Sequence, residues 1–252
     1  MKPIIQAKGL VKKFGAVTAA NDVNVDIMPG TISGLIGTNG AGKTTFINMI
    51  TGYLKPDTGS ILLDDHEIVG QSPRQITRRG VARSFQIPQL FNSLTALENL
   101  ALAYSANDSI GPKAFSILSD DALTARAEET LKVFGLEAFH DTLAGTMPEG
   151  IRKLLDIAVA MVGKPKVLFL DEPTSGVASE EKFSVMDRVI DATRAAGVSV
   201  LFVEHDMEIV RRYSDRVLAF FEGRVLIDGP PETVLADQQV RELIIGEEHG
   251  HA

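Results

Sequence analysis

Short apolar runs punctuated by glycine alternate with longer amphipathic stretches along most of the chain, the pattern of layered α/β structure. Ile4–Leu10, Val17–Ile27 and Ile61–Leu63 are β-compatible, and the apolar run Thr31–Ile36 ends at a glycine. They predict a strand-rich beginning. From Thr95 to Phe134 the period turns helical. Thr95-Ala-Leu-Glu98 has capping-box spacing, and Leu97, Leu100 and Ala101 follow at helical intervals. A second helix fits Asp121–Phe134, with Gly135 as its stop. The polar residues 106–119 between them read as a loop or a poorly periodic turn of helix. Alternation then resumes with a strand at Val167–Leu170, a helix Ser179–Ala196 capped by Ser179 and ended by Gly197, and a strand at Val198–Val203. Strands at Arg216–Phe221 and Val225–Asp228 and a Pro-started helix from Pro231 close the pattern. The expected architecture is an α/β core with a helical insertion near residues 90–160.

Composition narrows the classes. The 252 residues are 44% hydrophobic and 23% charged, enough for a sizeable core and too apolar for a disordered chain. The net charge of −8 disfavours phosphodiester backbones as general partners. The absence of cysteine removes disulfide scaffolds, Cys-zinc sites and thiol nucleophiles. No apolar run approaches the roughly 18 residues of a membrane span. The opening MKPIIQAKGL lacks a signal-peptide core. These features predict a soluble intracellular α/β protein.

Gly37-Thr38-Asn39-Gly40-Ala41-Gly42-Lys43-Thr44 satisfies the phosphate-loop pattern, with an apolar run before it and a helix-compatible Thr45–Thr51 after it. Its glycines let backbone N–H groups approach phosphate oxygens at a helix N-terminus. Lys43 supplies positive charge to the β- and γ-phosphates, and the Thr44 hydroxyl suits Mg²⁺. Thr45 completes the segment. Downstream, Val167–Leu170 leads into Asp171-Glu172. A buried parallel strand delivers such carboxylates at its C-terminal end, where ligands of open α/β sheets bind. Alone this could be no more than a strand end. Beside a phosphate loop, Asp171 suits a water-bridged Mg²⁺ and Glu172 the polarisation of an attacking water. The strand Val198–Val203 repeats the arrangement with Glu204-His205-Asp206, so His205 could reach a γ-phosphate. His66, His140, His249 and His251 have no such context and are expected to face solvent.

With these residues in place, the chain resembles the ATP-binding subunit of an ABC transporter over nearly its whole length. The resemblance implies a P-loop NTPase core with an antiparallel β subdomain and a helical subdomain, all in one domain over residues 1–252. It assigns ATP and Mg²⁺ as cofactors. It makes Gln86, in Arg83-Ser-Phe-Gln-Ile-Pro, the glutamine that touches Mg²⁺ and reports to membrane subunits. It makes His205 the switch histidine and Phe14, in Lys12-Lys-Phe-Gly, the ring on which adenine stacks. Met147-Pro148-Glu149-Gly150-Ile151 stands where the family has its LSGGQ signature, before a helix expected over Arg152–Val162. Phe14-Gly-Ala-Val-Thr-Ala, Arg83-Ser-Phe-Gln and the tail Leu235–Gly246 are similar to the branched-chain amino acid importer type, although the tail alone could be a plain amphipathic helix end. Relatives of that type carry urea, amides or aromatic acids. The implied partners are transmembrane permeases, a second ATP-binding subunit and, indirectly, a solute-binding protein, at the cytoplasmic face of the inner membrane, with no nucleic acid.

Two segments depart from the family pattern. Pro148 replaces the signature serine, Glu149 a glycine and Ile151 the glutamine, while Gly150 is retained. Ser175-Gly-Val-Ala178 lacks the aspartate expected after Glu172. Both segments act in the family on the partner's nucleotide, whereas Phe14, Lys43, Gln86, Glu172 and His205 act in cis. The second ATPase subunit is therefore expected to be a different chain. Two alternatives stand beside this reading: a soluble ABC-type ATPase acting on nucleic acid or in translation, and a small-molecule P-loop kinase. The net charge disfavours the first, and neither Gln86 nor the signature helix is explained by the second.

Overall fold

The computed structural model describes residues 2–108 and 120–246. In chain order the elements begin with β1 (Ile5–Phe14), β2 (Val17–Ile27), β3 (Ile32–Gly37), α1 (Lys43–Ile50), β4 (Thr58–Leu63) and β5 (His66–Glu67). There follow α2 (Pro73–Arg78), β6 (Val81–Ser84), α3 (Ala96–Asn107), α4 (Asp121–Val133) and α5 (Glu149–Met161). The last are β7 (Val167–Asp171), α6 (Lys182–Ala195), β8 (Ser199–Val203), α7 (Met207–Tyr213), β9 (Arg216–Phe221), β10 (Arg224–Gly229) and α8 (Pro231–Ala236). An antiparallel sheet runs β2-β1-β4-β5, and a second sheet runs β10-β9-β3-β8-β7-β6. In the second sheet β9, β3, β8, β7 and β6 are parallel, and β10 is antiparallel at the edge.

The continuous apolar runs have a physical cause in this layering. A parallel sheet covered on both faces needs apolar side chains at successive positions, not alternate ones. Leu168 and Leu170 of β7 and Val200 and Phe202 of β8 face the cluster under α3–α7. Val167 and Phe169, with Leu201 and Val203, face the other cluster, which contains α1 and the antiparallel sheet. The same split holds in β9, with Val217 and Ala219 on one side and Leu218 and Phe220 on the other. Phe46 of α1 packs on Phe220 with ring centroids 5.3 Å apart, which seats the helix directly above the sheet.

Helices α3, α4 and α5 occupy the expected 90–160 region, and short 3₁₀ turns at Glu137–Phe139 and Ala144–Thr146 lie between α4 and α5. The Thr95 capping box is formed: its hydroxyl accepts the Glu98 N–H (3.2 Å), and the Glu98 carboxylate accepts the Thr95 N–H (2.7 Å). Asp120 caps α4 through the Ala122 and Leu123 N–H groups, and Gly135 follows at φ 62°. Helix α3 continues to Asn107, two residues into the stretch read as loop; the rest of that stretch, from residue 109 to 119, lies outside the described residues.

One expectation is corrected. Ser179 caps no helix. Residues 175–181 instead form a chain of turns (Val177 N–H to Thr174 C=O, Glu181 N–H to Ala178 C=O), so α6 starts only at Lys182. The tail Leu235–Gly246 is not one helix: α8 stops at Ala236, Asp237 caps a short turn, and Arg241–Ile245 closes with a π-turn onto Gly246. His140 sits at the surface, one-third exposed (33%), with its Nδ1 2.8 Å from Asp141 and its Nε2 3.8 Å from Glu128. His66 is exposed as expected, and His249 and His251 lie outside the described residues. The pattern also missed β6, α2 and α7, which are too short to show a period.

The contrast between the two serine/threonine caps is measurable. Thr95→Ala should cost about 1 kcal/mol, the usual worth of a formed cap. Ser179→Ala should stay within about 0.5 kcal/mol, as for a surface position without such a role. Urea denaturation of the two variants checks this.

Candidate functional site

Parallel registry brings four strand ends to one edge. Ser84 pairs with Leu170, Asp171 with Val203, and Leu35 with Val203. Whatever follows each strand therefore arrives at one place: Gln86 after β6, Glu172 after β7, His205 after β8, and the glycine-rich loop after β3.

The loop turns into α1 at Gly42, the residue before the helix, with φ 101°. A Cβ there would lie 2.3 Å from the Ala19 carbonyl oxygen, so only glycine fits. Lys43, the first helical residue, is buried, and its Nζ donates to the Gly37 (2.6 Å) and Thr38 (2.9 Å) carbonyls. Burial pulls its pKa below the ordinary lysine value, while the Glu172 and Asp171 carboxylates oppose that shift. Asn39, Gly40 and Thr44 are exposed around it, and Thr38 and Thr45 are half-buried. A cleft of about 320 Å³ runs along this loop, lined by Asn39–Thr45, Asp171, Glu172, Val203 and His205, with Phe14, Val17 and Ala19 along its wall. Phe14 ends β1 with half its surface open (51%), an exposure that costs free energy in an aromatic ring unless something covers it.

Glu172 is the meeting point. Its φ of 50° is left-handed, which for a non-glycine residue stores roughly 1–3 kcal/mol of strain. Its N–H donates to the Val203 carbonyl (3.1 Å), turning the side chain off the strand. One carboxylate oxygen accepts the Gln86 amide (3.0 Å), and the other lies 3.2 Å from His205 Nε2. All three expected residues therefore touch.

Asp171 is held differently from its neighbour. Its carboxylate pairs with Arg83 at 2.9 Å, both side chains being largely buried. Arg83 also donates to Asn48 (2.6 Å) and lies 4.8 Å above the Phe85 ring. The sequence analysis gave Arg83 no role; its signal was a cation three residues before Gln86 on the strand adjoining β7. Two further groups were missed because nothing local marks them. Glu204 is buried and accepts the Thr174 N–H (2.8 Å) and hydroxyl (2.7 Å), pinning the turn after Glu172. Lys153 is buried on α5 and donates to the Glu172 carbonyl (2.7 Å).

Pro148, Glu149 and Gly150 lie elsewhere and do not line the cleft, the first two on the surface and Gly150 buried. Pro148 is the exposed cap residue of α5, and Glu149 opens the helix 3.8 Å from Arg152. Gly150 packs so closely that a Cβ would meet Val177 at 3.3 Å and Val185 at 3.4 Å. A Cβ on Gly176 would likewise meet the Glu149 Cγ at 3.4 Å. The two segments that depart from the expected pattern are thus neighbours in space.

Residues 20–175 match the ABC transporter family. The chain is 35% identical to the high-affinity branched-chain amino acid transport ATP-binding protein LivG of Escherichia coli strain K12, covering 98% of this chain and 99% of that protein. It is also 35% identical to the corresponding protein BraF of Pseudomonas aeruginosa, with the same coverage. Among solved structures, the ADP conformation of an ATP-binding cassette of an ABC transporter superposes with a TM-score of 0.85 at 30% identity, over 98% of this chain and all of that one (100%).

The loop geometry makes a prediction. Gly42→Ala meets both the Ala19 carbonyl and a forbidden φ, whereas Gly40→Ala meets no atom within 4 Å and only an unfavourable φ of 80°. Titration calorimetry with ATP should show an affinity loss of at least about tenfold, or about 1.4 kcal/mol, for Gly42→Ala. The loss for Gly40→Ala should be clearly smaller.

Proposed function

The chain belongs to the ABC transporter family, and from that premise we propose that its ATPase cycle energises import of branched-chain amino acids or a related small solute such as an amide, urea or an aromatic acid. It is the ATP-binding and hydrolysing subunit. The observation that carries the mechanism is the Glu172 carboxylate held between Gln86 and His205 beside the glycine-rich loop. Glu172 takes a proton from the water that attacks the γ-phosphorus. A new P–O bond forms as the β–γ bridge breaks, and ADP carries away the electron pair. Lys43 exchanges its two loop carbonyls for phosphate oxygens, an exchange its burial makes electrostatically strong. Phe14 is placed at the cleft wall to stack on a base.

Thr44, Gln86 and Asp171 offer a hydroxyl, an amide oxygen and a carboxylate, a set of hard donors that fits Mg²⁺. When bound, the ion neutralises charge on the β- and γ-phosphate oxygens. Arg83 supplies positive charge beside Asp171. The Gln86 amide nitrogen is the atom engaged with Glu172, which leaves its oxygen for the cation.

Among the described residues no helix is long and apolar enough to cross a membrane. Association with permease subunits at the cytoplasmic face of the inner membrane accounts for how such a chain drives transport, with the solute-binding protein acting on the far side. The transport roles of the relatives and the net charge of −8 favour this over action on nucleic acid. Residues 1–252 act as one ATP-binding domain.

The partner ATPase is a different chain, and the two nucleotide sites are unequal. A signature acts by aiming N–H groups, a hydroxyl and a helix N-terminus at the γ-phosphate across the dimer. Pro148 has neither N–H nor hydroxyl, and Glu149 adds negative charge at the start of α5. The site that closes against this face is therefore the weaker one. Proline is compatible with a helix start, so α5 itself is intact and only the donors at position 148 are gone.

Glu172→Gln should retain ATP binding while hydrolysis falls by about 10²–10⁴-fold. Steady-state ATPase assays of the assembled transporter measure this, and near-normal turnover would refute the assignment. In the same assay the equivalent change in the partner ATPase should cost far less, because that glutamate serves the site facing Pro148. Losing one transition-state donor costs around 10²–10³ in rate, so equal losses, or a fully active homodimer of this chain, would overturn the asymmetry.

A further inference from the structure

The buried side of α5 is built from Leu154, Leu155, Ile157 and Ala158, yet it also carries a cation and an anion one turn apart. Lys153 is 4% exposed and Asp156 is 6% exposed. A buried ion costs several kcal/mol unless it is well bonded, and apolar residues of similar size would pack this face without that cost. Their bonds go to the two loops that meet at the site. Lys153 Nζ donates to the Glu172 carbonyl at 2.7 Å. That carbonyl also accepts the Ser175 N–H at 3.1 Å, so Lys153 is not needed merely to satisfy it. Asp156 accepts the Ser84 hydroxyl (2.6 Å) and the Gln89 N–H (2.7 Å). Ser84 ends β6, so these two bonds clamp the loop on either side of the exposed Gln86.

We propose that Lys153 and Asp156 are positioning residues which, from one face of α5, fix the Glu172 carboxylate and the Gln86 amide at bonding distance. Each acts through another group and neither lines the cleft. Glu172 needs such a hold because its left-handed backbone is strained and would relax if released. The clamp spans the helical subdomain and the sheet, so a shift of α5 along its axis moves both members of the pair at once. Burial lowers the Lys153 pKa, and Glu149, Glu204, Glu172 and Asp156 oppose that shift; burial raises that of Asp156, against its bonds to Ser84 and Gln89 and the Lys153 charge. Glu149 stands at the start of the same helix, so the charge that weakens the signature face also helps to hold Lys153 in its charged form.

This inference rests on Glu172 being the general base, and the test separates the two. In the assembled transporter, Lys153→Met should lower kcat for ATP about tenfold with KM within about twofold, while Lys153→Arg, which keeps a donor, restores at least half of the rate. Added to Glu172→Gln, Lys153→Met should change the residual rate less than twofold, since it acts through the group already removed. Asp156→Asn, which keeps the shape, should lower kcat severalfold with KM unchanged and decides the matter if Lys153→Met does not fold. A rise in KM with unchanged kcat, a full additional tenfold loss in the Glu172→Gln background, or parental turnover in the folded variants would overturn the proposal. Intact turnover in Glu172→Gln alone would overturn the general-base reading and this proposal with it. Loss there without loss in the Lys153 and Asp156 variants overturns the positioning role only.

Discussion

A parallel sheet buried on both faces leaves few places where polar groups can gather, and its C-terminal edge is the chief one. Strands β3, β7 and β8 are mostly apolar, with the two hydrophobic clusters taking alternate positions. Registry then sets the polar residues that follow side by side, within hydrogen-bonding reach, without any local sequence relation among them. Glu172 can meet Gln86 and His205 only because β7 lies between β6 and β8.

That edge concentrates charge, and its balance accounts for the details of the site. Lys43 satisfies itself on loop carbonyls, Arg83 covers Asp171, and Lys153 approaches the main chain of Glu172. Three cations thus stand around two adjacent carboxylates, each held by a different element. Such an arrangement holds the two carboxylates in place, so little reorganisation is left for the chemical step.

Helix α5 connects this centre to the outer face. Its start carries Pro148 and Glu149, its buried side carries Lys153 and Asp156, and Gly150 lets it pack against Val177 in the turn after Glu172. The altered signature and the altered turn lie side by side, so their departures from the family pattern form one surface. On the reading proposed above, the cis machinery is complete and this chain is the catalytic contributor in an unequal pair.

Much of this was legible in the order of residues. The phosphate loop, the strand ends at Asp171 and His205, the Thr95 cap and the long strands depend on local chemistry, which a linear pattern records directly. Val17–Ile27 and Arg216–Phe221 even keep their expected ends. Ser179 shows the limit: a good capping residue competes with turns formed by its neighbours, and here the turns at Thr174–Glu181 prevail. The short strand β6 has too few residues for a period and exists because β7 supplies its partner. Arg83, Glu204 and Lys153 could not be assigned from sequence because each acts on a group far along the chain, from Arg83 to Asp171, Glu204 to Thr174 and Lys153 to Glu172. Sequence alone determined which groups could do the chemistry, because identity and spacing are properties of the chain. Which of them touch, which are buried and which hold the others in place was decided by strand order and helix packing, because those contacts exist only once distant segments share one edge of the sheet.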